Sequence, residues 1–153
     1  MSQATTLKEI LGLQKEPIAI GFLDAAPEGL SAWNGGEVPA GCAFWEKAAS
    51  GQAFYTVASD HYNCAVGSYT HKIDLPEARA AELMQTLEFM AENNYVAMSE
   101  VPGIPTLSKT PEVVAYAPLD DATFKPDVVL LSLKPAQAML IYEAAVKPGQ
   151  AIL

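Results

Sequence analysis

Two short segments of this chain concentrate the residue types that do chemistry: Gly41-Cys42-Ala43-Phe44-Trp45 and His61-Tyr62-Asn63-Cys64-Ala65-Val66-Gly67. The sequence has two cysteines, Cys42 and Cys64, and two histidines, His61 and His71. Thiolates suit zinc or iron, and such sites need about four donors. One reading therefore takes Cys42, Cys64 and His61 as metal ligands for zinc or an iron–sulfur cluster, with His71 or a second subunit completing the set. The 21-residue gap between the cysteines lacks the tight C-x-x-C chelate of established metal signatures. A second reading makes Cys64 a reactive thiol with His61, three positions earlier, as its catalytic base. The plainest reading leaves both cysteines as small buried hydrophobes.

Position sharpens these readings. Both cysteines fall at expected helix starts, where unpaired backbone N–H groups and the helix dipole stabilise a thiolate. Cys64 also follows a strand closely, which puts it near the carboxyl end of a sheet, where ligands of open α/β folds gather. Trp45, Tyr62 and Asn63 then become candidate ligand-binding residues around the sulfurs. Against this stand ordinary roles. Phe44, Trp45, Phe54 and Tyr55 are expected to pack in the core, and His61 and His71 to sit exposed. Asp120-Asp121 reads as a solvated loop, and Asn34-Gly35-Gly36 lacks the remaining residues of a phosphate-binding loop.

The elements that would hold these residues follow from periodicity. Thr6 to Glu9 fits a capping box, opening a short helix that ends near Gly12. Pro17 leads into the apolar run Ile18 to Leu23, read as a buried strand. A long loop from Asp24 to Gly41 follows. Cys42 to Ser50 is helical, Ala53 to Ala58 a strand, and Cys64 opens a further helix. The strongest helix runs from about Leu75 to Asn93, capped by Asp74. Its apolar stripe is Ala80, Leu83, Met84, Leu87, Met90 and Ala91, a core or oligomer face, and Asn94 suits a left-handed exit. Strands are expected at Tyr95 to Met98, Val113 to Ala117 and Val128 to Leu133. A helix starting at Pro135 runs to Val146, before Pro148-Gly149. Strands interleaved with helices predict one α/β domain over residues 1–153, with a mixed or partly parallel sheet and flanking helices.

Composition narrows the partners. At 153 residues the chain is long enough to bury about two-thirds of its unfolded surface. Half of it is hydrophobic and 18% is charged, which excludes a disordered chain. A net charge of −9 with nine scattered basic residues argues against nucleic acid. The longest apolar run, Val128 to Leu131, is far short of a membrane span, and the polar N-terminus lacks a signal pattern. A cytoplasmic location is expected, with both cysteines as thiols or ligands rather than a disulfide. A small-molecule ligand and a homo-oligomer are the partners this leaves.

The same segments carry a family resemblance. Pro17 to Phe22 resembles an early "PVAVKF" strand, and Cys42-Ala43-Phe44-Trp45 with Ala48 and Gly51 resembles a "C-x-x-W-x-x-A-x-x-G" segment. Asn63 to Gly67 resembles a "C-x-x-G" segment. Pro126 to Leu130 with Pro135-Ala136-Gln137-Ala138 resembles a "PDVV…P-x-QA" strand and helix. In this order they resemble the prokaryotic family called domain of unknown function 169, from about residue 7 to 146. The resemblance implies a shared fold and no reaction. Members of that family usually continue into a segment with another cysteine and a Tyr-Thr-Gly-like stretch. Gln150-Ala151-Ile152-Leu153 reads like the beginning of another strand, so the chain is expected to be C-terminally incomplete relative to the family.

Overall fold

A computed structural model of the chain describes residues 2–145. Its sheet is built around two strands, β1 (Ile18–Leu23) and β4 (Val113–Pro118), the second buried at every position. They run antiparallel, Ile20 opposite Tyr116 and Phe22 opposite Val114. β3 (Phe54–Thr56) extends the sheet beyond β4, with Phe54 opposite Tyr116 and Thr56 opposite Val114. The two-residue β2 (Ser31–Ala32) adds a parallel edge to β3, and β5 (Val128–Leu130) pairs antiparallel with the free side of β1. The order is β2-β3-β4-β1-β5. This is the expected α/β fold with a mixed sheet, and among the described residues β2 and β3 form its one parallel pair.

The two faces of the sheet differ in side-chain size. Ile18, Ile20, Phe54, Val114 and Tyr116 make a bulky face, and helix α2 (Cys42–Ala49) inserts Phe44 and Ala48 into it with no exposed surface. The rings of Trp33, Phe44, Phe54 and Tyr116 pack with centroids 4.9–6.0 Å apart, in the range where aromatic pairs add to simple burial. The opposite face carries small residues at its centre, Ala19, Gly21, Ala115 and Ala117. There Phe124 lies so close over Gly21 that a Cβ would come within 2.7 Å of its ring.

The remaining helices correct several expectations. α1 (Gln3–Leu11) starts a turn earlier than Thr6. Ser2 is its cap, accepting from Thr5 N–H at 3.1 Å, and Thr6 instead donates its hydroxyl to the Ser2 carbonyl. Asp120 is exposed as expected, yet it accepts from the Ser2 hydroxyl and from Ala4 N–H, tying α1 to the end of β4. α4 (Glu77–Glu92) begins after Pro76, which stands at the N-cap, so Asp74 lies too far upstream to cap it. Asn94 takes the left-handed exit, at φ 60°. The expected strand Tyr95 to Met98 is not formed: Tyr95 is a bend, Val96 and Ala97 are irregular, and a 3₁₀ turn, Met98–Gly103, begins at its last residue.

The apolar stripe of α4 is not core. No residue of α4 is buried, and Met84, Phe89 and Met90 are exposed. The same holds for α5 (Pro135–Ala145), with Met139, Leu140 and Tyr142 exposed. The bulky sheet face is already filled by α2. β5 is half the expected length because β1 offers it only Ile18 to Ile20 as partners, and Val128 and Val129 stay exposed. The expected helix end at Val146 and Pro148-Gly149, and the strand-like Gln150 to Leu153, lie outside the described residues.

Phe44 and Trp45 are neighbours with opposite environments: Phe44 has 0% exposure and Trp45 has 41%, so Trp45 does not join the core as expected. Phe44→Ala should destabilise the fold by about 3–5 kcal/mol, whereas Trp45→Ala should cost less than about 1 kcal/mol, as read from urea denaturation.

Candidate functional site

The two cysteine segments meet at the carboxyl end of β3. The chain leaves β3 through a 3₁₀ turn, Ala58–His61, and enters α3 (Ala65–His71) at Cys64, which is the N-cap residue. Cys64 Sγ accepts from Gly67 N–H at 3.2 Å. The glycine matters sterically as well, because a Cβ at Gly67 would press on this sulfur at 3.0 Å. The C-x-x-G spacing thus supplies both the capping N–H and the room for a large sulfur atom. The turn is held from below: the His61 carbonyl accepts from Cys64 N–H at 2.9 Å and from the buried Ser68 hydroxyl at 2.9 Å.

His61 points into the protein. It is 1% exposed, against the expectation of a surface histidine. Its Nε2 lies 2.8 Å from the Thr56 hydroxyl, which donates to the Val114 carbonyl across the strand pair. The hydroxyl has one proton: given to Val114, it leaves the histidine proton on Nε2 and a bare lone pair on Nδ1; given to His61, it leaves the histidine proton on Nδ1. Nδ1 is buried and has no hydrogen-bond partner among the described residues. Burial first, and the nearby His71 second, lower the His61 pKa to about 4, so the ring is neutral at physiological pH.

The start of α2 closes the niche. A Cβ on Gly41 would stand 3.7 Å from His61 Nδ1 and 3.8 Å from Cys64 Sγ, so the nitrogen and the sulfur flank one point beside the Gly41 methylene. Phe44, one turn along α2, packs against the His61 ring with centroids 5.3 Å apart and fixes the approach of that helix. His71 at the end of α3 stands edge-on to His61 at 5.3 Å and against Phe22 at 5.2 Å. It too is partly buried rather than exposed, with an unpartnered Nδ1, and burial lowers its pKa. Burial pushes the Tyr116 phenol well above its usual range; a hydrogen bond with Thr56 opposes this and the neighbouring Cys64 adds to it.

Of the residues singled out by sequence, the fold brings Cys64 and His61 together. Both cysteines are free thiols, Cys42 exposed and Cys64 half-buried. Tyr62 and Asn63 are half-buried beside Cys64; the Tyr62 carbonyl accepts from Arg79 of α4 at 2.9 Å, and Asn63 faces Glu37 at 3.5 Å. Trp45 points outward. Among the described residues, no three of His, Cys, Asp and Glu are grouped closely enough to hold a metal ion. Sequence reasoning missed Gly41, Thr56 and Gly67. The glycines carried a signal, since one stands beside each cysteine; Thr56 carried none, because its role depends on strand register.

A family model for domain of unknown function 169, described as uncharacterised ArCR, matches residues 6–149. The chain belongs to this family. No curated protein and no solved structure matches it. Within this member of domain of unknown function 169, the segments that carry the resemblance divide into two jobs. Gly41-Cys42 and the C-x-x-G segment build the niche. The Pro-Asp-Val-Val and Pro-x-Gln-Ala segments instead dock the C-terminal elements. Asp127 accepts from Phe22 N–H at 2.8 Å and donates its own N–H to the Ile20 carbonyl. Gln137 accepts from Lys134 N–H at the start of α5 and donates to the Leu11 and Gly12 carbonyls at the end of α1. No helix among the described residues is long and apolar enough to cross a membrane.

The lowered His61 pKa makes a signed prediction. Folding depresses this pKa from 6.5 to about 4, so below pH 6.5 the unfolded chain takes up a proton that the native chain refuses. The stabilisation is present above pH 6.5 and is lost as the pH falls toward 4, by about 3 kcal/mol at most. His71 acts in the same direction. Urea midpoints measured from pH 7 to pH 4 should fall, and they should fall less steeply in His61→Gln.

Proposed function

We propose that this protein binds a small ligand in the niche between Gly41, His61 and Cys64, through the Cys64 sulfur and the His61 Nδ1 lone pair. The supporting observation is the buried Nδ1, without a partner among the described residues and beside the point that Cys64 Sγ also adjoins; the reading takes Thr56 to donate to Val114, which leaves Nδ1 its lone pair. A buried acceptor left without a partner costs about 1–3 kcal/mol, and a ligand that donates to it or coordinates it recovers that cost. Tyr62 and Asn63, half-buried, precede Cys64 in the chain, and the exposed Cys42 follows Gly41. A reducing setting such as the cytoplasm suits a site that needs a free thiol.

Binding is favoured over base catalysis on magnitude. An imidazole with a pKa near 4 is far too weak a base to take the proton of an ordinary thiol, so His61 acts as a neutral electron-pair donor. In Cys42→Ser protein, iodoacetamide should alkylate Cys64 in the native state, as followed by mass spectrometry. Adding Gly41→Ala should slow that reaction several-fold without loss of stability, because Gly41 has φ −58° and the new methyl meets both atoms at ordinary contact distance. If Cys64 reacts only as fast as the chain unfolds, the sulfur is a core atom and the reading fails.

A second reading rests on a different surface. α4 and α5 bury no residue, Phe89, Met139, Leu140 and Tyr142 are exposed, and β5 ends the sheet among the described residues with an open edge. A second copy pairing β5 to β5 across a twofold axis would close that edge and cover apolar side chains. Light scattering should then report a dimer whose dissociation is promoted by Val129→Lys; a monomer at high concentration contradicts it.

A further inference from the structure

We propose that the ligand is a thiophilic metal ion of low coordination number, copper(I) being the type, bridging Cys64 Sγ and His61 Nδ1 beside the Gly41 methylene. The inference rests on the niche being a ligand site and names the class of its ligand.

The donor atoms carry the argument. His61 is 1% exposed, its Nδ1 has no partner, and its other nitrogen is hydrogen-bonded to Thr56, which is bonded in turn to the Val114 carbonyl. Metal-binding histidines are oriented in this way: the far N–H is held by the protein, and the near lone pair is left free and aimed. The second donor is the sulfur, whose position is fixed by the Gly67 N–H and by the absence of a side chain on Gly67. Both donors stand within 3.8 Å of one point, at which Gly41 supplies no Cβ.

The composition of the site selects the ion. The thiolate sulfur is a soft donor and the imidazole nitrogen a borderline one, and no carboxylate joins them; among the described residues no third ligand does either. A closed tetrahedral zinc site or a four-thiolate cluster therefore has too few donors in this chain. Copper(I) is stable with two or three ligands and has the softness that matches sulfur. Charge points the same way. The Cys64 thiolate and a monovalent ion sum to zero in a partly buried niche, whereas a divalent ion would leave an uncompensated positive charge beside His61. Binding replaces the thiol proton with the metal, so one proton is released per ion bound and no electron is transferred.

The test uses the full chain under anaerobic, reduced conditions, with copper(I) supplied as its coloured bicinchoninate complex. The wild type and Cys42→Ser should each withdraw one copper(I) per chain, and Cys64→Ser none. Gly41→Ala should weaken binding about tenfold or more while leaving the urea midpoint unchanged. X-ray absorption of the loaded protein should show one nitrogen and one sulfur neighbour. Equal loss in Cys42→Ser would make the site a two-thiolate one and overturn the assignment. Binding indifferent to Gly41→Ala and Cys64→Ser would mean an adventitious ion only. If the wild type takes no copper(I) while Gly41→Ala still slows alkylation of Cys64, the metal class is wrong and the niche stands. If neither effect appears, both fall together.

Discussion

The hydrogen bond between Thr56 and His61 is the interaction on which the rest of the site depends. It joins the last residue of a strand to the last residue of the turn that follows it, five positions on. Because Thr56 pairs in register with Val114, its hydroxyl lies within reach of both that carbonyl and His61 Nε2. The sheet therefore decides which nitrogen of the ring meets Thr56 and which stands beside Gly41 and Cys64. Burial then keeps the ring neutral. A chemically adaptable residue is held in one place, and the strand that carries Thr56 helps to hold it.

Space around that lone pair is set by what is missing. Gly41 and Gly67 each lie against the Cys64 sulfur, and a Cβ at either position would change the niche in a different way. At Gly67 it would push the sulfur off its cap; at Gly41 it would touch both sulfur and nitrogen at ordinary contact distance. The aromatic cluster under α2 supplies the rigidity that makes such small changes count. Phe44 touches both the His61 ring and the Tyr116 ring, so the helix carrying Gly41 is registered on the same core as the strand carrying Thr56. Close-packed cores transmit displacements of this size rather than absorb them.

Much of this was legible in the sequence because local rules govern it. β1 and β4 are apolar runs bounded by proline and turn residues, and both cysteines stand at helix starts, Cys42 as the first residue of α2 and Cys64 as the cap of α3. What was not legible depends on long-range pairing. A histidine in a polar stretch, Ser59 to Asn63, reads as exposed; it is buried because β4 offers a partner 58 positions from Thr56 along the chain. The α4 stripe has helical period and was read as core or contact, yet the face it could have covered is taken by α2, leaving Met84 and Met90 exposed. Tyr95 to Met98 has strand-forming residues but no strand to join, and it follows a left-handed residue at Asn94. Periodicity reports which residues prefer to be buried, not which neighbour arrives first.

The account stands on His61 being a neutral, Nε2-protonated ring whose Nδ1 is open beside Cys64. The direct measurement is the ¹⁵N NMR spectrum of the histidine side chains, with His61 assigned by comparison with His61→Gln and followed from pH 8 downward. The predicted result is an Nε2–H tautomer with an unprotonated Nδ1, unchanged through neutral pH and titrating only near pH 4. A proton on Nδ1, or a His61 already cationic at neutral pH, would contradict it.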